Sequence, residues 1–326
     1  MKNKNGVMSV NAIIEKITEQ IQEGIYPGAS LALYQKGSWQ EYYLGLADPA
    51  KKEPVVAGLT YDLASVSKVV GVGTIFAFLV QQGKIDIDRP LASYYPDMEQ
   101  ADVTIRQLLT HTSGLDPFIP GRDDLDAEGL KEALHRLKLK DNRQFHYTDV
   151  NFLLLGFLLE KWYGQDLAQI FQEQVFAPWQ MKETTFGPVS QAVPTLRGVP
   201  AGVVHDPKAR VLGVHAGSAG LFSTIRDMEI FLEHYLQDPF AEILSQNYAL
   251  EKGKMRSLAW NLEGDWLDHT GYTGTFLLYN RKLQLAAIFL SNRTYEKDER
   301  AQWILDRNQL MELIKREMEG TGKNPS

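Results

Sequence analysis

The sequence predicts an α+β protein: one antiparallel sheet flanked by N- and C-terminal helices, with a helical domain inserted in the middle. Three observations carry this. Strand-like patterns occur before about Asp62 and again beyond Val199. The chain between, to about Trp179, follows helical spacing. No repeat, low-complexity tract or Pro/Gly/Ser-rich linker divides the 326 residues. The expected sheet lobe is residues 1–62 with 190–326 and the helical lobe 63–189, with the active site in the cleft between them.

In chain order, Val10, Ile13, Ile14, Ile17 and Ile21 recur at helical spacing ahead of Gly24, which marks an amphipathic helix and its stop. Ala29 to Tyr34 and Trp39 to Gly45 form a hairpin turned at Lys36-Gly37. Helices are expected over Ser67 to Gln82, Thr104 to Leu109, Ala127 to Leu137, Val150 to Trp162 and Leu167 to Phe176. The Asp116 to Asp126 stretch, with Pro117, Pro120 and Gly121, reads as a loop at the cleft rim. Thr275 to Tyr279 and Leu283 to Leu290 are apolar runs joined by Asn280-Arg281-Lys282, a second hairpin. An amphipathic helix from Glu299 to Glu319 follows.

Composition narrows the function. Apolar residues make up 44% and charged residues 23%, normal for a globular protein with a full core. A net charge of -7 leaves no basic surplus to neutralise phosphates, which counts against nucleic acid or an anionic membrane as partner. With no cysteine there are no disulfides, thiolate metal sites or Cys nucleophile. No His pair has the spacing of a zinc helix, so neither metal nor cofactor is expected. His111 reads as part of its loop and His205-Asp206 as turn chemistry. The longest apolar run, Val69 to Val80, is about half of the ~20 residues a membrane span needs. Without a signal-like N-terminus the chain is expected to be cytoplasmic as written, or extracytoplasmic if a leader has been removed.

Ser65 stands three residues before Lys68, so one helical turn puts both side chains on the same face. A serine hydroxyl attacks only when something takes its proton, and a lysine does so when burial and a neighbouring cation lower its pKa. Alone, the pair recurs by chance in helices as an N-cap serine with a solvated lysine. Tyr147-Thr148-Asp149 follows 82 residues after Ser65, and His269-Thr270-Gly271 lies 122 residues after Tyr147. That order resembles the penicillin-recognising serine hydrolases. The tyrosine in its middle element is similar to the class C β-lactamase branch, which also contains D,D-carboxypeptidases, D-aminopeptidases and carboxylesterases. Tyr26-Pro27-Gly28-Ala29-Ser30, Gly83 to Leu91, Leu108 to Leu115 and Ala219 to Thr224 resemble further family segments, so the likeness covers nearly the whole chain.

The resemblance implies a β-lactamase/transpeptidase-like fold. It implies Ser65 as nucleophile, Lys68 and Tyr147 as the proton shuttle, and His269 as a partner of Tyr147 or substrate. It puts the oxyanion hole at the backbone N–H groups of Ser65 and Tyr272. Asp149, Thr270, Gly271 and Arg293 are the expected substrate-binding residues, Arg293 as a carboxylate clamp and Gly271 for close approach along the strand. Two departures stand out: Asp149 replaces the usual Asn, and His269 replaces the Lys of β-lactamases. Together they lower the local charge by about two units. Weak β-lactamase activity is therefore expected. The substrate expected is a small molecule or short peptide: an ester, an amide, or a D-amino-acid peptide with its amine near Asp149. The alternatives are a D,D-carboxypeptidase or class C-like β-lactamase, and a penicillin-binding-like sensor without turnover.

Overall fold

The computed structural model describes residues 10–320 apart from 101, 142, 252 and 254. The N-terminal helix spans Val10–Gln22, and Gly24 with φ of +71° turns the chain out of it. β1 (Gly28–Gln35) and β2 (Ser38–Asp48) form the first hairpin. Its two-residue turn has positive φ at both Lys36 and Gly37, the geometry that suits the twist of the flanking strands. β3 (Glu53–Pro54) and β4 (Tyr61–Asp62) are short. After the helices come β5 (Thr185–Phe186), β6 (Leu221–Ser223), β7 (Asn261–Glu263), β8 (Trp266–Thr270), β9 (Phe276–Asn280) and β10 (Leu285–Ser291). Seven of these make one antiparallel sheet in the order β3-β2-β1-β10-β9-β8-β7, while β4-β6-β5 make a small second sheet.

The sheet is covered on both faces. Ile13, Ile17 and Leu310 pack with Tyr26, Leu31 and Phe289, so the two terminal helices, Val10–Gln22 and Arg300–Met318, close one face. Residues of opposite parity, such as Ala32, Leu277 and Ile288, join the larger apolar cluster of the central helices. That cluster includes Val69 to Val72 and Val150 to Leu159, whose helix Val150–Tyr163 is apolar nearly all round and buried over its first ten residues. The segment Ala64–Gln81 is apolar and long enough to cross a membrane, yet 78% of it is buried inside the fold.

Two helices stand where only strand character was expected. Pro207–Leu212 is N-capped by Asp206, and Ile225–Gln237 is N-capped by Thr224, which accepts the Asp227 N–H. In the second, Ile225, Met228, Phe231, Leu232, Tyr235 and Leu236 make a buried helical stripe against the sheet. The helix that carries Ser65 and Lys68 also differs from a plain α-helix. It begins as a 3₁₀ turn over Ala64–Val66 and widens to i→i+5 bonding over Val69–Gly73 before the α-helix Thr74–Gln81.

Candidate active site

Ser65 sits at the floor of a cleft of about 530 Å³. Its turn is held in an uncommon shape, with Ala64 at φ of +46°. The Asp62 carboxylate accepts the Ala64 N–H at 2.8 Å and the His205 N–H at 2.7 Å. Burial pushes the Asp62 carboxyl up to about 6, although these two donors pull it back. From the β8–β9 connection, Thr273 and Thr275 donate to the carbonyls of Asp62 and Leu63, at 2.9 and 3.1 Å. Gly271 is needed at the same seam, because a Cβ there would lie 2.7 Å from the Leu63 carbonyl. Gly271 therefore makes room for the turn that carries Ser65.

Lys68 is fully buried and donates to Ser65 Oγ, Asp149 Oδ1 and the Ser218 carbonyl, each at 2.8 Å. Burial alone pulls its pKa down, but Asp149 and then Tyr147 outweigh burial and the net direction is up. This corrects the expectation of a lysine made basic by a neighbouring cation. Its neighbour is a carboxylate, carried in by the residue just ahead of helix Val150–Tyr163. Lys208 takes the other oxygen, Oδ2, at 3.1 Å. Burial raises the Asp149 pKa, and the two lysines together hold it well below the usual carboxylate range. With both oxygens engaged, Asp149 is not a free anion awaiting a substrate amine.

Tyr147 lines the cleft, with its ring 5.2 Å from Lys68 Nζ. Two imidazoles flank that ring: His111 at 4.5 Å between centroids and His269 at 6.2 Å. His111 is buried, and its Nδ1 lies 3.0 Å from Asn151 Nδ2 and 3.4 Å from the Thr148 N–H. Accepting both puts its proton on Nε2. His269 is also buried, and no hydrogen-bond partner is found for either ring nitrogen among the described residues. Burial first, then Lys68 and Arg256, hold its pKa well below the ordinary value, so it is neutral. His269, expected as a partner of Tyr147 or substrate, packs its ring against that of Tyr147.

The alternation of β8 decides where the rest of its motif points. His269 faces the helices, whereas the Thr270 hydroxyl accepts from Arg307 Nη1 of the C-terminal helix at 3.1 Å. Thr270 is thus not brought to the cleft, because its side chain lies on the other face of the sheet. Arg293 is not brought there either. Its buried side chain donates from Nε to the Tyr272 carbonyl at 2.8 Å and from Nη1 to Asp298 at 2.6 Å, stacked 4.7 Å beneath the Tyr272 ring. The clamp expected of Arg293 is corrected to a brace for Tyr272. Among the described residues no acceptor is found for the Tyr272 N–H.

Other cations line the cleft. Lys208, Arg210 and Arg300 stand with Asp149 and Asp206, beside Leu196, Val199, Val203 and Pro117 of the rim. Arg300 lies 5.6 Å over the Tyr272 ring, and Arg210 donates to the His205 carbonyl at 3.3 Å. Neither has a carboxylate partner among the described residues. The charge deficit inferred from Asp149 and His269 is therefore offset by residues distant in sequence. Among the described residues no group of three His, Asp or Glu side chains gathers as a metal site.

Residues 13–311 match the Beta-lactamase family. A putative D-alanyl-D-alanine carboxypeptidase of Escherichia coli O157:H7 is 25% identical, over 89% of this chain and 83% of its own. The fold is shared with a D-amino acid amidase from Ochrobactrum anthropi (TM-score 0.74, 19% identity, 96% and 99% of the two chains). A class C beta lactamase from Rhodobacter sphaeroides is similar as well (TM-score 0.70, 20% identity, 92% and 99%). The chain belongs to the beta-lactamase family and has its serine-hydrolase fold.

Proposed function

We propose that the protein is a serine acyl hydrolase that works through an acyl-enzyme on Ser65, acting on an ester, an amide or a D-amino-acid peptide. The observation that carries this is the 2.8 Å contact from Lys68 Nζ to Ser65 Oγ at the floor of an open cleft. Ser65 Oγ attacks the acyl carbonyl and its proton passes to the Lys68–Tyr147 pair. The pair accepts it in its singly deprotonated form, with Lys68 held 2.8 Å from Asp149 and 5.2 Å from the Tyr147 ring. The carbonyl oxygen, now negative, takes hydrogen bonds from the N–H groups of Ser65 and Tyr272. The pair returns the proton to the leaving nitrogen or oxygen as its bond to carbon breaks. Water then attacks the Ser65 ester, the Lys68–Tyr147 pair takes its proton, and Ser65 leaves with it.

A second reading, D,D-carboxypeptidase action, is favoured by Arg210 and Arg300, whose charge suits the terminal carboxylate of such a peptide. The test uses a fluorophosphonate, p-nitrophenyl esters, a D-Ala-D-Ala peptide and nitrocefin on the protein and on Ser65→Ala. Covalent labelling and ester or peptide turnover are expected, all lost in the variant. Release of D-alanine without ester turnover selects the carboxypeptidase, whereas equal labelling of both proteins removes Ser65 from the chemistry. Nitrocefin hydrolysis as fast as that of an efficient β-lactamase overturns the preference for other acyl substrates.

A further inference from the structure

Lys208 is the cleft cation that touches the proton machinery without touching the nucleophile. It shares one carboxylate with Lys68: Asp149 Oδ1 goes to Lys68 at 2.8 Å and Oδ2 to Lys208 at 3.1 Å. Asp206, which caps helix Pro207–Leu212 by accepting the Ala209 N–H at 2.8 Å, lies 3.6 Å from Lys208 and steadies it. The side chains of Lys68, Asp149 and Lys208 are 0%, 25% and 15% exposed, so solvent screens the trio weakly. Resting on the reading of Ser65 as nucleophile, we propose that Lys208 is a positioning residue. Acting through Asp149, it sets the pH at which the Lys68–Tyr147 pair gives up the proton that frees Ser65 to attack.

The argument is one of charge. With Asp206 counted, Lys68, Lys208, Asp149 and Asp206 carry no net charge beside Tyr147. Within that set the Lys208 charge favours proton loss from the Lys68–Tyr147 pair and the Asp149 charge opposes it, whichever member holds the proton. Removing Lys208 leaves one net negative charge, and neutralising Asp149 leaves one net positive charge. The other groups packed around Lys68 do not supply this balance. His111 and His269 are neutral and Ser218 offers only its carbonyl, while Arg256, bonded to Asn261 and to the Ala259 carbonyl at 3.2 Å, acts on Tyr147 alike in every variant.

The acid limb of fluorophosphonate labelling is measured in the full chain, in Lys208→Gln, Lys208→Arg and Asp149→Asn, and in the double variant Asp149→Asn, Lys208→Gln. The same proton is followed without any reaction, by lysine side-chain nitrogen NMR of Lys68 and by tyrosinate absorbance against Tyr147→Phe. Lys208→Gln is expected to move the limb up by about one pH unit, on the order of tenfold in rate on its acid side. Asp149→Asn is expected to move it down, with Lys208→Arg and the double variant close to the parent. A merely structural role would move every variant the same way, and that result overturns the proposal, as does a limb unmoved in Lys208→Gln. If Lys208→Gln does not fold, a double variant displaced from the parent is the overturning result. Absence of labelling in the parent defeats the nucleophile reading alone, because the spectroscopic order still decides the role of Lys208.

Discussion

At the scale of single residues, the chemistry depends on partners that lie far apart in sequence. The motif residues Ser65, Lys68, Tyr147 and Asp149 were legible because each carries a local spacing. Lys208 and Arg300 were not, since nothing near either one tells which carboxylate or ring it will meet. Arg293 is a related case: its guanidinium looked available from sequence, but burial commits it to the Tyr272 carbonyl and Asp298. Lysine lacks the fork needed for both bonds, so Arg293→Lys is expected to lower turnover on the order of tenfold to a hundredfold, with KM changed much less. Steady-state kinetics on the best ester separate the two parameters. Glu229 gives a stability prediction instead. It is buried with Oε1 lacking a partner among the described residues, and burial, helped by Glu41 and Glu233, pushes its carboxyl up to about 8. An unfolded glutamate titrates near ~4.3. Between those values the folded chain keeps a proton that the unfolded chain has lost, so stability falls as pH rises through that window. Glu229→Gln is expected to remove that fall, read as melting temperature against pH.

At the scale of elements, periodicity placed the first hairpin, the helices Val150–Tyr163 and Leu167–Phe171, and the C-terminal helix to within a few residues. It failed at Ile225–Gln237, although the stripe was present, because the surrounding region had been assigned to the sheet lobe. It also could not show the i→i+5 turn over Val69–Gly73, which is a matter of packing between segments. Gly71 there meets the Phe171 ring so closely that any Cβ would collide with it. Gly73 sets a second close approach, its added Cβ lying 2.8 Å from that of Ala259. Helix propensity alone favours Gly71→Ala by about 1 kcal/mol. Overpacking costs roughly 1–3 kcal/mol and falls on a ring with nowhere to go. The expected outcome is net destabilisation, seen as a lower denaturation midpoint in urea with an unchanged slope. A midpoint that rises would mean the Phe171 ring yields.

At the scale of the whole molecule, the α+β class was legible because the two ends of the chain share one pattern and the middle another. The sign of the cleft was not, since it is a sum over residues that meet only after folding. The same closure has a bearing on how the chain is made. β1 pairs with β10 from Ala29↔Ser291 to Tyr34↔Ala286, so nearly the whole polypeptide must exist before the central ladder forms. During synthesis β1 and β2 emerge first and wait with one open edge while the helices fold against a half-built sheet. Tyr272, Thr273 and Thr275, which border the Ser65 turn, come later still. A ribosome-bound or prematurely terminated chain therefore carries Ser65 and Lys68 without the β8–β9 connection that braces their turn. The cost is a slow, long-range closure step during which the exposed strand edges invite association between chains.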